Sequence, residues 1–216
     1  MKFPLEYSAA KEVEATPQKS FVELFPEKCV QDFPATEMRL DRHAWNVRLD
    51  EELYIGAAIR RINAKKLFEI GTFNGGTTLC MAENAGCEAH TFTLDLPSDQ
   101  FDREQGPDNF TGSMVGQVFH GKQVEKQITQ LRGDSTLFDY SPYEKSIDFV
   151  FVDAAHDYIH GLADSKSALR LVRPGGVIFW HDYEPYWSGL IHGVREATAG
   201  MPLARIRGTT LAVLRT

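Results

Sequence analysis

The chain has 216 residues, 43% of them hydrophobic and 25% charged, which is typical of one globular domain with a sizeable core. Its formal net charge of -7 argues against a nucleic-acid partner, because affinity for a phosphate backbone comes mainly from clustered Lys and Arg. The sequence has neither an apolar run of signal-peptide length at its N-terminus nor 18 consecutive apolar residues, so we expect a cytoplasmic protein with no membrane partner.

The N-terminal part of the chain differs in pattern from the rest. Residues 1–45 show no regular apolar period, and we interpret them as an extension that provides substrate or dimer contacts. The domain proper is predicted at 46–216. It begins with an amphipathic helix in which Ile55, Ile59 and Ile62 share one face.

Strand and helix patterns then alternate to the end of the chain. Strands are predicted at 66–71, 89–95, 126–134, 146–155 and 176–182, with two short strands within 203–215. Helices are predicted at 75–86, 161–172 and 187–198, the second with Leu162, Leu169 and Val172 on one side. Residues 96–112 contain Pro, Gly and Asp and are predicted to form a long loop. This alternation predicts an α/β fold whose ligands bind beyond the carboxyl ends of parallel strands.

A glycine-rich turn follows the first predicted strand. The stretch FEIGTFNGGTT places Gly71, Gly75 and Gly76 between a strand and a helix, where glycine permits positive φ and close approach of a ligand. Asp95 ends the next strand, at the position where an acidic side chain accepts hydrogen bonds from ribose hydroxyls. The alternatives are a tight turn needed only for packing and a loop cap by Asp95. Phe73 replaces a glycine of the dinucleotide fingerprint, which disfavours an NAD site.

Polar residues end the later strands. In the stretch GDS, Asp134 could contact a purine, and Asp134 or Ser135 could cap a helix; the two roles are compatible. The stretches VDAAHDY and WHDY should bring Asp153 and Asp182 together, with His156 and His181 nearby. Two carboxylates suit Mg²⁺, and an imidazole suits proton removal from a hydroxyl. The alternative is that these residues only cap helices and satisfy loop carbonyls, and His181 stays open between base, ligand and structural residue.

Together, the stretches FEIGTFNGGTT, TLD, GDS, FVDAAHDY and LVRPGGVIFWHDY resemble class I S-adenosylmethionine (SAM)-dependent methyltransferases. The resemblance covers about residues 50–216. It is to the small bacterial O-methyltransferase branch, related to catechol-type and macrolide or sugar O-methyltransferases. It implies a Rossmann-like, doubly wound sheet of seven strands, mostly parallel with the last strand antiparallel, and helices on both faces.

The resemblance also implies roles for individual residues. Glu69 would contact the cofactor. Gly71 and Gly75 would line the methionine portion of SAM, and Asp95 would contact its ribose. Asp134 and Ser135 would meet the adenine. The remaining cofactor-binding residues implied by the same motifs are Thr72, Phe73, Asn74, Leu96, Gly133 and Asp153.

The expected catalytic residues are His156, Asp153 and His181, and the expected Mg²⁺ ligands are Asp153 and Asp182. Tyr183 stands where catechol-type enzymes have a third, amide ligand, so His156 or His181 would complete the metal site or act as base.

The expected function is methylation of a hydroxyl on a small molecule or glycan, with Mg²⁺ as an optional aid. The N-terminal extension, the 96–120 segment and the aromatic residues Tyr183, Tyr186 and Trp187 are expected to influence acceptor choice. The alternative for these aromatic residues is simple packing against the first 45 residues. A homodimer is a further expectation. Two alternatives stay open at this point. One is a SAM-binding or interaction module without catalysis, and the less favoured one is an NAD-dependent oxidoreductase.

Overall fold

Strands and helices alternate along most of the chain in the computed structural model, which describes residues 3–27, 43–103 and 110–216. The strands within those ranges are β1 (Gln18–Lys19), β2 (Lys66–Ile70), β3 (His90–Asp95), β4 (Ile128–Arg132), β5 (Ile147–Val152), β6 (Val172–Trp180), β7 (Ala204–Ile206) and β8 (Ala212–Arg215). The α-helices are α1 (Phe3–Ala15), α2 (Phe21–Leu24), α3 (Leu49–Arg61), α4 (Gly76–Ala85), α5 (Ser98–Arg103), α6 (Tyr158–Leu171) and α7 (Ser188–Ala197). No helix in the described ranges combines the length and apolar character needed to cross a membrane.

The fold is a Rossmann-like α/β fold with a mostly parallel sheet, as predicted, and its residues group into two units. The first unit comprises Met1–Pro26 and Asp139–Thr216, and its strand order is β1-β7-β8-β6-β5. The second comprises Glu27–Phe138, with the order β2-β3-β4. Only β8 runs antiparallel to its neighbours β6 and β7 among the paired strands described, which confirms the reversed last strand.

Two apolar strands form the centre of the first unit. Phe149 and Phe151 of β5 and Phe179 and Trp180 of β6 are all fully buried. Strands covered on both faces are expected to be continuously apolar, and this explains why β5 and β6 are recognisable in the sequence. The indole Nε1 of Trp180 donates to Ser165 Oγ of α6 at 3.0 Å, so α6 is anchored to β6 by a buried hydrogen bond.

The strand count was wrong by one, because the described part of the sheet has eight strands instead of seven. The additional strand is β1, in which Gln18 pairs with Arg205 and Lys19 with Ile206 of β7 in parallel. Two polar residues are too few to show an alternating pattern. The sequence around β1 contributes to the core of the first unit as well, since Phe25 is fully buried.

The second unit corrects the loop predicted at 96–112, because α5 lies within that segment. The carbonyl of Pro97 accepts hydrogen bonds from the amides of Gln100 and Phe101, both at 2.9 Å, and so closes the first turn. Six residues are too few for a helical apolar period, which is why the pattern gave no sign of α5. Residues 104–109 of the predicted loop lie outside the described residues.

Candidate active site

The glycine turn between β2 and α4 directs backbone amides at Asp95. The amides of Thr72 and Phe73 both donate to Asp95 Oδ2, at 3.0 and 2.8 Å, and the amide of Leu96 donates to Oδ1 at 2.8 Å. Successive amides converging on one oxygen form an anion-binding nest. The turn therefore holds the Asp95 carboxyl group in one orientation at the end of β3.

Burial also changes the chemistry of Asp95. It raises the pKa of the Asp95 carboxyl above its ordinary value of 3.8, and the three amide donors offset part of that rise. The acidic form is therefore populated at a higher pH than in an exposed aspartate.

Phe73 adopts an unusual backbone conformation in this turn, with φ of 47°. A bulky residue at positive φ costs about 1–3 kcal/mol, so surrounding contacts must hold it there. Its ring stacks on Phe110 at 4.2 Å between centroids and meets the edge of His43 at 5.1 Å. Its carbonyl accepts from the amide of Gly116 at 2.8 Å.

Gly75 and Asn74 begin α4. Gly75 is the N-cap and has φ of 88°, and a Cβ at this position would lie 2.6 Å from the Phe119 ring. Both the conformation and the space therefore require glycine. Asn74 Oδ1 accepts hydrogen bonds from the amide of Gly76 at 3.0 Å and from Asn46 Nδ2 at 2.7 Å.

Glu69 is fully buried at the end of β2. Its Oε2 accepts hydrogen bonds from the hydroxyls of Thr78 and Thr93, the latter at 2.5 Å. The Thr93 hydroxyl also lies 2.6 Å from that of Thr72 in the glycine turn. In this structure Glu69 therefore supports the turn through threonine hydroxyls, and its contact with a cofactor stays a prediction.

The GDS stretch follows β4 and forms a turn instead of starting a helix. The amide of Gly133 donates to the carbonyl of Asp95 at 2.9 Å. Asp134 Oδ1 accepts from the amide and the hydroxyl of Thr136, at 2.8 and 2.7 Å. A role of Asp134 and Ser135 at an adenine ring stays a prediction.

The polar residues after β5 and β6 lie together in the first unit. Val152 pairs with Trp180 at the ends of these parallel strands, so the residues that follow emerge side by side. His181 Nδ1 is 3.2 Å from Asp153 Oδ1 and 3.5 Å from Asp182 Oδ1. One ligand atom from each of these three residues lies within 4.8 Å of the other two.

His156 contacts the same cluster through a different oxygen. Its Nε2 lies 2.8 Å from Asp182 Oδ2, and its ring stacks on Trp187 with centroids 4.1 Å apart. The amide of Leu190 in α7 donates to the carbonyl of His156 at 2.9 Å. The side chains of His156 and Asp182 are 23% and 22% exposed, so the pair is partly accessible from solvent.

Asp164 is a residue of this region that the sequence reading missed. It is 1% exposed and lines a small pocket together with Asp153, His156 and His181.

The apolar face predicted for α6 from Leu162, Leu169 and Val172 was wrong. The buried stripe consists of Gly161, Asp164, Ser165, Ala168 and Leu171, and Val172 belongs to β6. The buried face of α6 could not be recognised from apolar periodicity, because it contains the polar residues Asp164 and Ser165.

Tyr183 and Tyr186 have opposite environments. Tyr183 is fully buried, and its hydroxyl lies 3.2 Å from Thr16 Oγ1 in the N-terminal part of the first unit. It therefore cannot line an acceptor pocket in this conformation. Tyr186 is 77% exposed and meets Trp187 edge-on at 4.7 Å.

Residues 68–183 match the protein family described as a methyltransferase domain. The chain belongs to this methyltransferase family. The matched segment contains the glycine turn, Asp95 and the whole cluster from Asp153 to Asp182, whereas the described N-terminal helices lie outside it.

Two curated relatives illustrate the similarity of this methyltransferase domain. Flavonoid 3',5'-methyltransferase of Vitis vinifera is 31% identical over 165 residues, which are 72% of this chain and 63% of the relative. Caffeoyl-CoA O-methyltransferase 2 of Petunia hybrida is 26% identical over 164 residues, covering 73% of this chain and 63% of the relative. The chain thus spans slightly less than two thirds of the length of these relatives.

Solved structures of other methyltransferases share the fold. The O-methyltransferase from Bacillus cereus in complex with SAH superposes with a TM-score of 0.60 at 19% identity, covering 81% of this chain and 84% of that one. The O-methyltransferase TomG from Streptomyces achromogenes in complex with SAM has a TM-score of 0.59 at 16% identity, covering 100% and 91%.

Proposed function

We propose that the chain transfers the methyl group of SAM to a hydroxyl oxygen of a small molecule. The observation that carries this proposal is the accessible pair of His156 and Asp182, 2.8 Å apart. A hydroxyl acceptor must lose a proton during methylation, and an imidazole oriented by a carboxylate can take it. Membership of the methyltransferase family and similarity to a caffeoyl-CoA O-methyltransferase and a flavonoid 3',5'-methyltransferase support the same reaction.

The second unit would hold the cofactor. Asp95 is oriented by three amides and can accept hydrogen bonds from the ribose hydroxyls. The turn from Gly71 to Gly75 would contact the methionine portion, and Asp134 with Ser135 the adenine. When bound, SAM supplies a methyl group activated by the positive charge of its sulfonium centre.

The first unit would supply the proton acceptor. Asp182 Oδ2 faces His156 Nε2, so this nitrogen is already engaged in a hydrogen bond. To deprotonate the acceptor hydroxyl, His156 must either use its Nδ1 or give up the hydrogen bond to Asp182 and form one with the hydroxyl. Once His156 has taken the proton, Asp182 stabilises the resulting imidazolium. The stacked Trp187 limits the orientations of the ring. These residues align and deprotonate the acceptor, and proximity can account for a large part of the rate enhancement.

A divalent cation fits the neighbouring donors. Asp153, His181 and Asp182 offer two carboxylate oxygens and one imidazole nitrogen within 4.8 Å of one another. A bound cation would lower the cost of forming a negatively charged acceptor oxygen. A glycan acceptor and a homodimer stay predictions.

The experiment is a mass-spectrometric screen of hydroxylated small molecules incubated with SAM and the purified chain, with and without added divalent cation. We expect the mass gain of one methyl group on at least one acceptor, and its loss in His156→Gln. Thermal stabilisation by SAM, by its demethylated product and by NAD is compared in parallel, because a ligand specific for the native state raises the melting temperature. Cofactor binding without transfer to any acceptor would favour an inactive SAM-binding module, and stabilisation by NAD alone would contradict the proposal.

A further inference from the structure

The Asp153–His181–Asp182 cluster has the spacing of a coordination site with a nitrogen ligand. His181 Nδ1 lies 3.2 Å from Asp153 Oδ1 and 3.5 Å from Asp182 Oδ1. Ligand atoms about 2.1 Å from one ion are about 3.0–3.4 Å apart in octahedral or tetrahedral geometry. One cation can therefore contact all three side chains after small adjustments.

The backbone holds the three donors in place. The amide of His181 donates to the carbonyl of Val152 at 3.0 Å, which continues the pairing of β5 and β6 beyond Trp180. The His181 side chain is only 10% exposed, so its ring has little freedom to turn away. Asp182 has φ of 52°, and its second oxygen is occupied by His156 Nε2. Its Oδ1 is thereby left directed at His181.

The next residue along the chain cannot provide a ligand. Tyr183 is fully buried, and its hydroxyl lies next to Thr16. Among the described side chains, the donors that meet at this point are two carboxylates and one imidazole.

We propose that His181 Nδ1 is the third protein ligand of this site and that it makes the site select a first-row transition cation such as Fe²⁺, Co²⁺ or Zn²⁺ over Mg²⁺. Imidazole is a good ligand for these cations, whereas Mg²⁺ prefers oxygen atoms and retains its water. The inference deepens the proposed function, since the cation would assist the same deprotonation. It has its own test, because metal binding is measured without turnover.

The first experiment titrates the metal-free chain with Co²⁺ and with Mg²⁺ by calorimetry. We expect Co²⁺ to bind at least about tenfold more tightly than Mg²⁺. His181→Asn replaces the nitrogen donor with an amide oxygen, so it should weaken Co²⁺ binding at least about tenfold and change Mg²⁺ binding less than about threefold. Tyr183→Phe is the matched control and should leave both affinities unchanged, and Asp153→Asn should weaken both.

The second experiment needs no substitution at His181. In the NMR spectrum of the Co²⁺-loaded chain, a coordinated imidazole shows a strongly shifted ring proton, and this signal should persist in His156→Gln. Bound Co²⁺ without such a signal would overturn the proposal, and so would equal affinities for Co²⁺ and Mg²⁺. Absence of divalent-cation binding would also overturn the proposal. SAM binding is measured in the same samples, so failure of the metal proposal is distinguished from failure of the proposed methyl transfer.

Discussion

His156 is held on two sides, by Asp182 and by Trp187. Its Nε2 lies 2.8 Å from Asp182 Oδ2, and its ring lies parallel to the indole within 24° at a centroid distance of 4.1 Å. The hydrogen bond sets the direction of the imidazole edge and the stack sets the plane of the ring. We expect this arrangement of a positioned proton acceptor. His181 differs from His156, because its Nδ1 faces both Asp153 Oδ1 and Asp182 Oδ1.

Replacing His156 by Gln should lower kcat by about 100- to 10,000-fold, the usual contribution of a general base. Glutamine can still hydrogen-bond to Asp182 but cannot take a proton at neutral pH. The Kd for SAM, measured by calorimetry, should change less than about twofold. A loss of SAM affinity as large as the loss of kcat would place His156 in cofactor binding instead.

The Trp187 stack should affect turnover through the orientation of His156. An aromatic pair contributes about 0.5–1.5 kcal/mol, so Trp187→Leu should lower kcat by about 2- to 10-fold. Trp187→Phe retains a stacking face and should recover most of that loss. Steady-state kinetics at saturating SAM provide the comparison. An equal decrease in kcat in Trp187→Leu and Trp187→Phe would show that stacking on an aromatic ring does not position His156.

Cofactor affinity should depend on the ionisation of Asp95. Burial raises the pKa of this carboxyl above 3.8, and in the proposed cofactor site the ribose hydroxyls would donate hydrogen bonds to its ionised form. SAM affinity should therefore be constant near neutral pH and decrease on acidification, with the decrease beginning at a higher pH than an exposed aspartate would give. Calorimetric titrations over a pH series test this. Asp95→Asn should bind SAM weakly and lack this pH dependence, and an unchanged pH profile in Asp95→Asn would contradict the assignment.

The positive φ of Phe73 permits a comparison between two small residues. Glycine adopts this conformation without strain, whereas alanine loses the aromatic contacts that hold it and keeps the strain. Phe73→Ala should therefore weaken SAM binding about 3- to 10-fold more than Phe73→Gly, corresponding to about 1 kcal/mol of conformational cost. Equal affinities of the two variants, or weaker binding of SAM by Phe73→Gly than by Phe73→Ala, would contradict a conformational cost at this position.

The N-terminal segment should contribute to the stability of the first unit. Phe25 is fully buried and packs near Phe179, with ring centroids 5.9 Å apart. Phe25→Ala should lower the free energy of unfolding by about 3–5 kcal/mol. Val22 is 64% exposed and provides the control. Val22→Ala should change the free energy of unfolding by less than about 0.5 kcal/mol. Denaturant titrations measure both variants. A small effect of Phe25→Ala would favour a loosely attached extension.

Several elements of the fold were predictable because their signals are local. The strands β5 and β6 are long apolar runs, and the helix α4 ends at Gly86, where positive φ is required. The elements that escaped prediction are short or atypical. Two-residue β1 has no alternation to recognise. The helix α6 was predicted, but its buried face was not, because that face carries Asp164.

The sequence by itself determined the α/β class, the glycine turn, and the expectation that Asp153 and Asp182 follow neighbouring parallel strands, since these features depend on apolar periodicity and on the geometry of a parallel sheet. Only the tertiary structure decided that His156 bonds to Asp182 Oδ2 while His181 faces both carboxylates, and that Tyr183 is buried against Thr16. Those outcomes depend on side-chain directions and on contacts between residues distant in sequence, which a linear pattern does not contain.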